Sequence, residues 1–379
     1  MCRLQIRANR FTLLIYINAP NSVKERIMPT IKDVAKHTGL SYATISKYLN
    51  GGNVLPENRE KIETAIKELN FTVNEFARGL KTNKSNTVGI IVPDIGNVLA
   101  AKTIPITVDI LRKNGYATII CDSREDHVRE SELVTFLMSK RVDGIINMPV
   151  GADGSHLYPA LNKKIPVVLL DRLVSDCFGM VDAVLVDNLR AAQEATSYLM
   201  SLGHKEIGII AGPRDVTTAA DRLSGYISIF KRNRLDIKDS LIEYSDFSIE
   251  SGYRCCKRLL ANNPGMTALF ATNYDTTVGA MMAINECGIS VPEDLSVFGF
   301  DDMPFAKVIK PHISVIAQPI VEIGQTTASL ILDRMTGRNT GPAKITVLKT
   351  SVELRNSVKQ ISSNTINDPV SNNISHDNK

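Results

Sequence analysis

The sequence predicts an α/β fold: an all-α helix-turn-helix headpiece followed by two doubly wound α/β subdomains. Three observations carry this. Residues 30–50, TIKDVAKHTGLSYATISKYLN, encode two short amphipathic helices around one tight turn. From residue 87 onward, apolar runs of strand length alternate with helical stretches. That alternation forms two sets, and 379 residues leave room for both beside the headpiece.

Taken in order, Thr30 followed by Asp33 is a capping box that opens the first helix. Ile31, Val34 and Ala35 give it one apolar face. Gly39 suits the turn because it tolerates a left-handed backbone. Leu40 points inward and Ser41 caps the second helix, whose buried face is Ile45 and Leu49. Tyr42, Ala43, Ser46, Lys47 and Asn50 are left outward, as a helix lying in a DNA major groove requires. A plain helical hairpin has the same pattern. Residues 56–70 place Ile62, Ala65, Ile66 and Leu69 at i, i+3, i+4 and i+7, a third helix that buries the first two.

Residues 30–84 closely resemble the headpiece of lactose-repressor-type regulators. The resemblance rests on Ile31, Asp33, Val34, Ala35, Gly39, Ser41, Thr44, Ser46, Leu49 and Asn50, then on Asn74, Ala77, Arg78 and Leu80 of the family's hinge helix. It extends to about residue 355. It implies that Tyr42, Ala43, Thr44, Ser46, Lys47 and Asn50 face DNA. It also implies that the hinge, within 74–86, folds when two copies meet on DNA, with Leu80 as an apolar wedge in the minor groove. So short a helix, with Gly79 inside it, is marginal alone.

Residues 28–84 hold 9 Lys and Arg against 6 Asp and Glu, mildly basic as a DNA-contacting headpiece should be. Cys2, Cys121, Cys177, Cys255, Cys256 and Cys287 show neither metal spacing nor a disulfide ladder, which fits a reducing cytoplasm. No run is long enough to span a membrane. Residues 1–27 include a short apolar run at 11–17 behind Arg7 and Arg10, but no small-residue cleavage site follows, so export is not expected. In the family the headpiece begins a residue or two before the position of Thr30, where Met28 stands. Lys24-Glu25-Arg26 can be encoded by a purine-rich run resembling a ribosome-binding site. The extension is therefore expected to be untranslated. Peptides from residues 3–24 in mass spectra of protein from the native locus would contradict this.

Beyond the hinge, strands are expected at 88–92, 117–121, 144–148, 167–170 and 183–186, with helices near 100–114, 126–140 and 157–162. A second set has strands at 207–211, 268–271 and 295–299, and helices at 188–202, 219–232, 249–261 and 276–287. Two such halves facing one another make a cleft, as in periplasmic sugar-binding proteins, with the ligand outside the carboxyl ends of the strands. The resemblance implies crossings between halves near 186, 313–319 and 348, and a helix at 321–335 that returns to the first half. Residues 356–379 are polar throughout and are expected to be a disordered tail. They show no leucine heptad, so a dimer is expected rather than a tetramer.

No phosphate-binding glycine loop and no His-x-x-x-His pair occurs, and the six histidines are scattered; His204, at a helix end, reads as structural. Neither enzyme activity nor a cofactor is expected. Polar residues at strand ends are the candidates for binding: Asp94, Asp171, Arg172, Arg222, Asn273, Asp275 and Asp301. Carboxylates accept from the hydroxyls of a polyol, while guanidinium and amide groups donate. Arg222, in Asp221-Arg222-Leu-Ser-Gly-Tyr226, and Asp301, in Gly-Phe-Asp-Asp, match effector contacts of the family, as does Asn273. Each also has a plain structural use as a cap or ion pair. Where the family has Asn-Pro-Phe-Phe, this chain has Asn97-Val98-Leu99-Ala100, an aliphatic wall. The family's Asn-Asp pair is spread here as Asn273-Tyr274-Asp275, which offers an aromatic surface from the other half.

The resemblance thus implies a dimeric, cytoplasmic, operator-binding regulator, a repressor controlled by a small effector, with a sugar or sugar derivative expected. A nucleobase or protein partner is the rival within the family. A sugar-binding transport protein is the rival outside it, disfavoured by the headpiece.

Overall fold

The computed structural model describes residues 29–49, 51–72 and 84–361. They fall into two compact units, parted between Asn83 and Lys84.

The first unit is three helices: α1 (Ile31–Thr38), α2 (Tyr42–Leu49) and α3 (Pro56–Glu68). The backbone N–H and hydroxyl of Thr30 donate to the Asp33 carboxylate at 2.7 and 2.8 Å, fixing the first turn of α1. Gly39, at φ 68°, ends α1 with its N–H on the Ala35 carbonyl. Ser41 Oγ accepts the Thr44 N–H at 3.2 Å and starts α2. The core is Val34, Ile45, Ile62 and Ala65, all fully buried and closed by Phe71. A buried aliphatic side chain of this kind contributes about 1.5–3 kcal/mol. Tyr48 donates to Glu63 at 2.8 Å and ties α2 to α3.

The second unit holds two six-stranded sheets. The first half comprises β1 (Thr87–Val92), α4 (Val98–Lys113), β2 (Ala117–Asp122), α5 (His127–Ser139), β3 (Gly144–Asn147), α6 (Tyr158–Asn162), β4 (Val167–Leu170) and β5 (Asp182–Val186). The second comprises α7 (Asn188–Ser201), β6 (Ile207–Ala211), α8 (Thr217–Arg232), β7 (Ile242–Tyr244), α9 (Ile249–Asn262), β8 (Ala268–Ala271), α10 (Tyr274–Glu286), β9 (Ser296–Phe300), α11 (Pro304–Val308) and β10 (Ser314–Ala317). The chain then forms α12 (Ile320–Met335), β11 (Ile345–Leu348) and β12 (Ser351–Glu353). Strand order is β2-β1-β3-β4-β5-β11 in one sheet and β7-β6-β8-β9-β10-β12 in the other. Among the described residues only β12 runs antiparallel, against β10. Strands β4 and β8 are apolar along their whole length, and β3 is buried throughout, because helices cover both faces.

The chain passes between halves three times: after β5, after β10 and between β11 and β12. The helix α12 packs on α4 and joins the core of the first half through Ile323, Leu330, Ile331 and Leu332. The structure differs from the sequence expectation at β7, β10, β11 and β12, short strands (IEY, SVIA, ITVL and SVE) whose polar residues break up any apolar run.

The expected tail also starts too early. Ser357 is fully buried, and its hydroxyl donates to the Val297 carbonyl at 2.6 Å and accepts the Ser314 N–H at 2.8 Å. The Ile361 N–H reaches the Leu202 carbonyl at 2.8 Å. Polar composition misled here because the segment is held by backbone and hydroxyl hydrogen bonds more than by apolar area. His204 clamps it as well: one ring nitrogen lies 3.0 Å from the Lys359 carbonyl and the other 3.0 Å from Thr267 Oγ1. The structure thus gives this histidine a bridging role. Four of the cysteines, Cys121, Cys177, Cys255 and Cys256, are buried small side chains, and Cys287 is exposed.

Candidate functional site

On the headpiece, α2 presents Tyr42, Ala43 and Lys47 outward, with Tyr42 53% exposed. Thr44 and Ser46 are half-buried, and the Thr44 hydroxyl lies 2.9 Å from Ser41 Oγ. Burying Ile45 in the three-helix core is what turns these neighbours out. Asn50, Asn74, Ala77, Arg78 and Leu80 lie outside the described residues.

In the second unit, six of the seven expected binding residues line one cleft at the carboxyl ends of the two sheets: Asp171, Arg172, Arg222, Asn273, Asp275 and Asp301. The cavity at its centre is small, about 40 Å³. Asp94 is the seventh. It stands exposed before α4, its carboxylate turned back onto the Gly96 N–H at 2.8 Å, and is not among the lining residues. Two residues beyond the end of β1, the loop has already turned the side chain to solvent.

Each half contributes differently. From the first, Asp171 follows β4 directly and Arg172 reaches into its own half. Arg172 Nη1 donates to the Pro149 and Val150 carbonyls at 3.0 and 2.9 Å and lies 3.4 Å from Glu125. From the second, Arg222 rises from α8, buried, with Nε on Asn188 Oδ1 at 2.8 Å and Nη1 on the Thr272 carbonyl at 2.6 Å. Its guanidinium carbon sits 3.7 Å from the centre of the Phe300 ring, a cation–π stack. Burial lowers its pKa against the opposing pull of Asp301 and Asp171.

Asp301 is buried after β9 and accepts from Gln318 Nε2 at 2.7 Å. Burial raises its pKa while Arg222 holds it down. Burial, with Asp301 and Asp94 adding like charge, pushes the Asp275 pKa up to about 6. Asn273 is occupied structurally: Oδ1 caps α10 through the Thr276 N–H at 2.9 Å, and Nδ2 donates to the Phe247 carbonyl at 3.2 Å.

Val98 and Leu99 form the aliphatic wall from the first half, and Tyr274 and Phe247 stand among the lining residues from the second. Tyr274 meets Phe305 edge-on, with ring centres 6.3 Å apart. Thr218, Phe247 and Gln318 were missed from sequence. Thr218 carried a usable signal, since it lies one helical turn before Arg222. Phe247 did not: its ring covers Gly212, where any Cβ would fall 2.1 Å from the ring, a pairing only the fold brings about. Gln318 sits in a crossing segment with no pattern of its own. Among the described residues, no group of three or more His, Cys, Asp or Glu is placed to hold a metal ion, and no helix is long and apolar enough to cross a membrane.

Residues 30–74 match the family model described as bacterial regulatory proteins, lacI family, and residues 196–358 match a periplasmic binding protein-like domain. The chain is 31% identical over 332 residues to catabolite control protein A of Priestia megaterium, covering 87% of this chain and 99% of that protein. It is 32% identical over 332 residues to the HTH-type transcriptional repressor PurR of Proteus mirabilis, covering 86% and 96%. Among solved structures, the lac repressor dimer bound to operator and the anti-inducer ONPF aligns with a TM-score of 0.79 at 25% identity, over 88% of this chain and 99% of that one. A complex of the transcriptional regulator CelR with cellobiose aligns at 0.66 and 28% identity, over 87% and 99%. With a matching headpiece, two α/β halves around a cleft and relatives alike over nearly their whole length, this chain belongs to the lacI family of bacterial transcription regulators.

Proposed function

We propose that this chain is a cytoplasmic repressor that binds an operator as a homodimer and is controlled by a sugar or sugar derivative in the cleft. One observation carries the reading. A chain with a DNA-binding headpiece also brings buried charged groups from two α/β halves onto a single cleft. The lac repressor dimer on its operator and the cellobiose complex of CelR support the dimer and the sugar by likeness. The chain acts by binding alone.

In this reading Tyr42, Ala43 and Lys47 read base edges, Lys47 by donating to guanine and Ala43 by meeting a thymine methyl. Thr44, Ser46 and Asn50 complete the DNA-facing helix, and Asn74, Ala77, Arg78 and Leu80 form the hinge. A ligand gripped by Asp171 and Arg172 on one side and Arg222, Asn273, Asp275 and Asp301 on the other favours one angle between the halves. That angle sets the spacing of the two hinges of a dimer, and so the affinity for operator.

The test is selection of bound sequences from a random duplex pool, followed by titration of the winner. An approximately palindromic site bound far more tightly than the bulk pool is expected. Equal binding of all duplexes would contradict the reading.

A further inference from the structure

The chain enters the second unit at the amino-terminal end of the first sheet, the end opposite the cleft. Lys84 is exposed there, while Ser85 and Asn86 are half-buried. Both precede β1, so no strand ladder takes up their N–H groups. Asp143 takes up both. Its Oδ1 accepts the Ser85 N–H at 3.0 Å and the Ser85 hydroxyl at 3.4 Å, and its Oδ2 accepts the Asn86 N–H at 2.8 Å. Asn86 has a left-handed backbone, at φ 50°. Successive N–H groups bent around such a residue form a concavity that receives an anion. Here the anion is a side chain 57 residues further along the chain.

The carboxylate is itself held in place. The Asp143 N–H donates to the Thr87 carbonyl at 2.8 Å, and the Ala117 N–H to the Asn86 carbonyl at 2.8 Å. Gly144, the next residue, starts β3 pressed against α12: a Cβ there would fall 2.9 Å from both Ile331 Cδ1 and Met335 Sδ. Asp143 thus stands on the packed core of the first half and is not among the residues that line the cleft.

Without this carboxylate, the N–H groups of Ser85 and Asn86 lose their acceptor. Ser85 keeps the local bond from the Thr87 hydroxyl to its carbonyl, at 3.1 Å. The first residue fastened to the core then moves from Ser85 to about Thr87. Two released residues span at most about 7 Å. In two copies of the chain that is about 14 Å, the rise of about four base pairs.

We propose that Asp143 sets the point at which the connector to the headpiece leaves the core, and through it the half-site spacing that a dimer accepts. The clamp keeps the connector short in both copies, so that both headpieces engage together at one spacing. This rests on the operator and homodimer reading above and adds a determinant of specificity outside the DNA-facing helix.

The test is binding of the full chain to three duplexes: the site selected from the random pool, and that site with one or two base pairs inserted at its centre. Wild type is expected to bind the two-base-pair insertion about a hundredfold more weakly, as loss of simultaneous engagement implies. Asp143→Ala should lose less than about tenfold on that insertion. It should bind the selected site itself within about threefold of wild type, because effective concentration falls slowly with linker length. A Gly-Ser pair inserted after Lys84 leaves the clamp intact and should broaden the accepted spacing in the same way. Asp143→Asn keeps one acceptor oxygen, should fall between wild type and Asp143→Ala, and decides the matter if the alanine variant does not fold. A carboxylate that only stabilises the strand start would lower the melting temperature and leave the ratios among the three duplexes as in wild type, which overturns the proposal. So does a wild-type chain that binds the selected site tightly and its insertions equally well. A wild-type chain that prefers no duplex overturns the operator reading, and the proposal falls with it.

Discussion

The headpiece and the cleft carry their chemistry in opposite ways. The headpiece displays it: Tyr42, Ala43 and Lys47 are exposed because a helix with Ile45 inward must turn them out. The cleft conceals it: Arg222 and Asp301 are buried, and their charges are balanced by neighbours from several strands and helices. A surface site of the first kind should lose function on mutation with little loss of fold. A buried site of the second kind should lose both, in proportions that depend on what else each side chain holds.

Arg222→Ala should have the largest effect. Loss of a charge-assisted bond costs about 1.5–3 kcal/mol, tenfold or more in ligand affinity. The variant also leaves Asn188 and the Thr272 carbonyl without their donor, so it should melt earlier. We expect operator affinity without ligand to stay near normal and the ligand response to vanish. Loss of operator binding together with unchanged ligand affinity would make Arg222 a structural residue only.

Glu130 gives the next effect, and it shows how polar the interior of the first half is. It is fully buried, accepts from Asn147 Nδ2 at 3.1 Å and lies 3.4 Å from the His156 ring. Burial raises its pKa to about 7 from an ordinary 4.5. A carboxyl raised in the folded state stabilises fully below the unfolded value, and that stability is lost as pH rises through the folded value. Burial shifts His156 the other way, to a lowered pKa, so wild-type stability mixes two trends. Subtracting the profile of Glu130→Gln isolates the carboxyl. The difference should fall by about 2–3 kcal/mol between pH 5 and pH 7.5, following about 1.4 kcal/mol per unit of pKa shift. A flat difference across that range would mean the carboxyl stays ionised.

On the displayed side, Lys47→Ala should cost about 1–3 kcal/mol on the selected operator and less on unrelated duplex, with the melting temperature unchanged. Equal losses on both duplexes would reduce Lys47 to a phosphate contact. The smallest expected effect is local: Asp33→Ala removes the acceptor of both Thr30 bonds and should slightly lower the melting temperature of the headpiece. No change in headpiece melting would show that the first turn of α1 does not depend on that cap.

The same contrast explains what could be read in the sequence. Helical period located the core of the headpiece, Val34, Ile45 and Ile62, and with it the outward face. Runs of apolar residues located eight strands, but β7, β10, β11 and β12 take their place from pairing with neighbours distant in sequence. The cleft obeys no period. Arg222 and Asp301 were legible through likeness to a family, while Phe247 and Gln318 come into view only once β6 and β10 are set in their sheet. Asp94 shows the limit of reasoning by strand ends, since two further loop residues turn a side chain from the cleft to solvent.

In the proposed function, cleft and headpiece are coupled. It is tested most directly by measuring operator affinity with and without the sugar that binds the full chain best, and sugar affinity with and without operator. The same factor is expected in both directions, about 5- to 150-fold, because linkage is reciprocal. Operator affinity unchanged by a saturating sugar would contradict it.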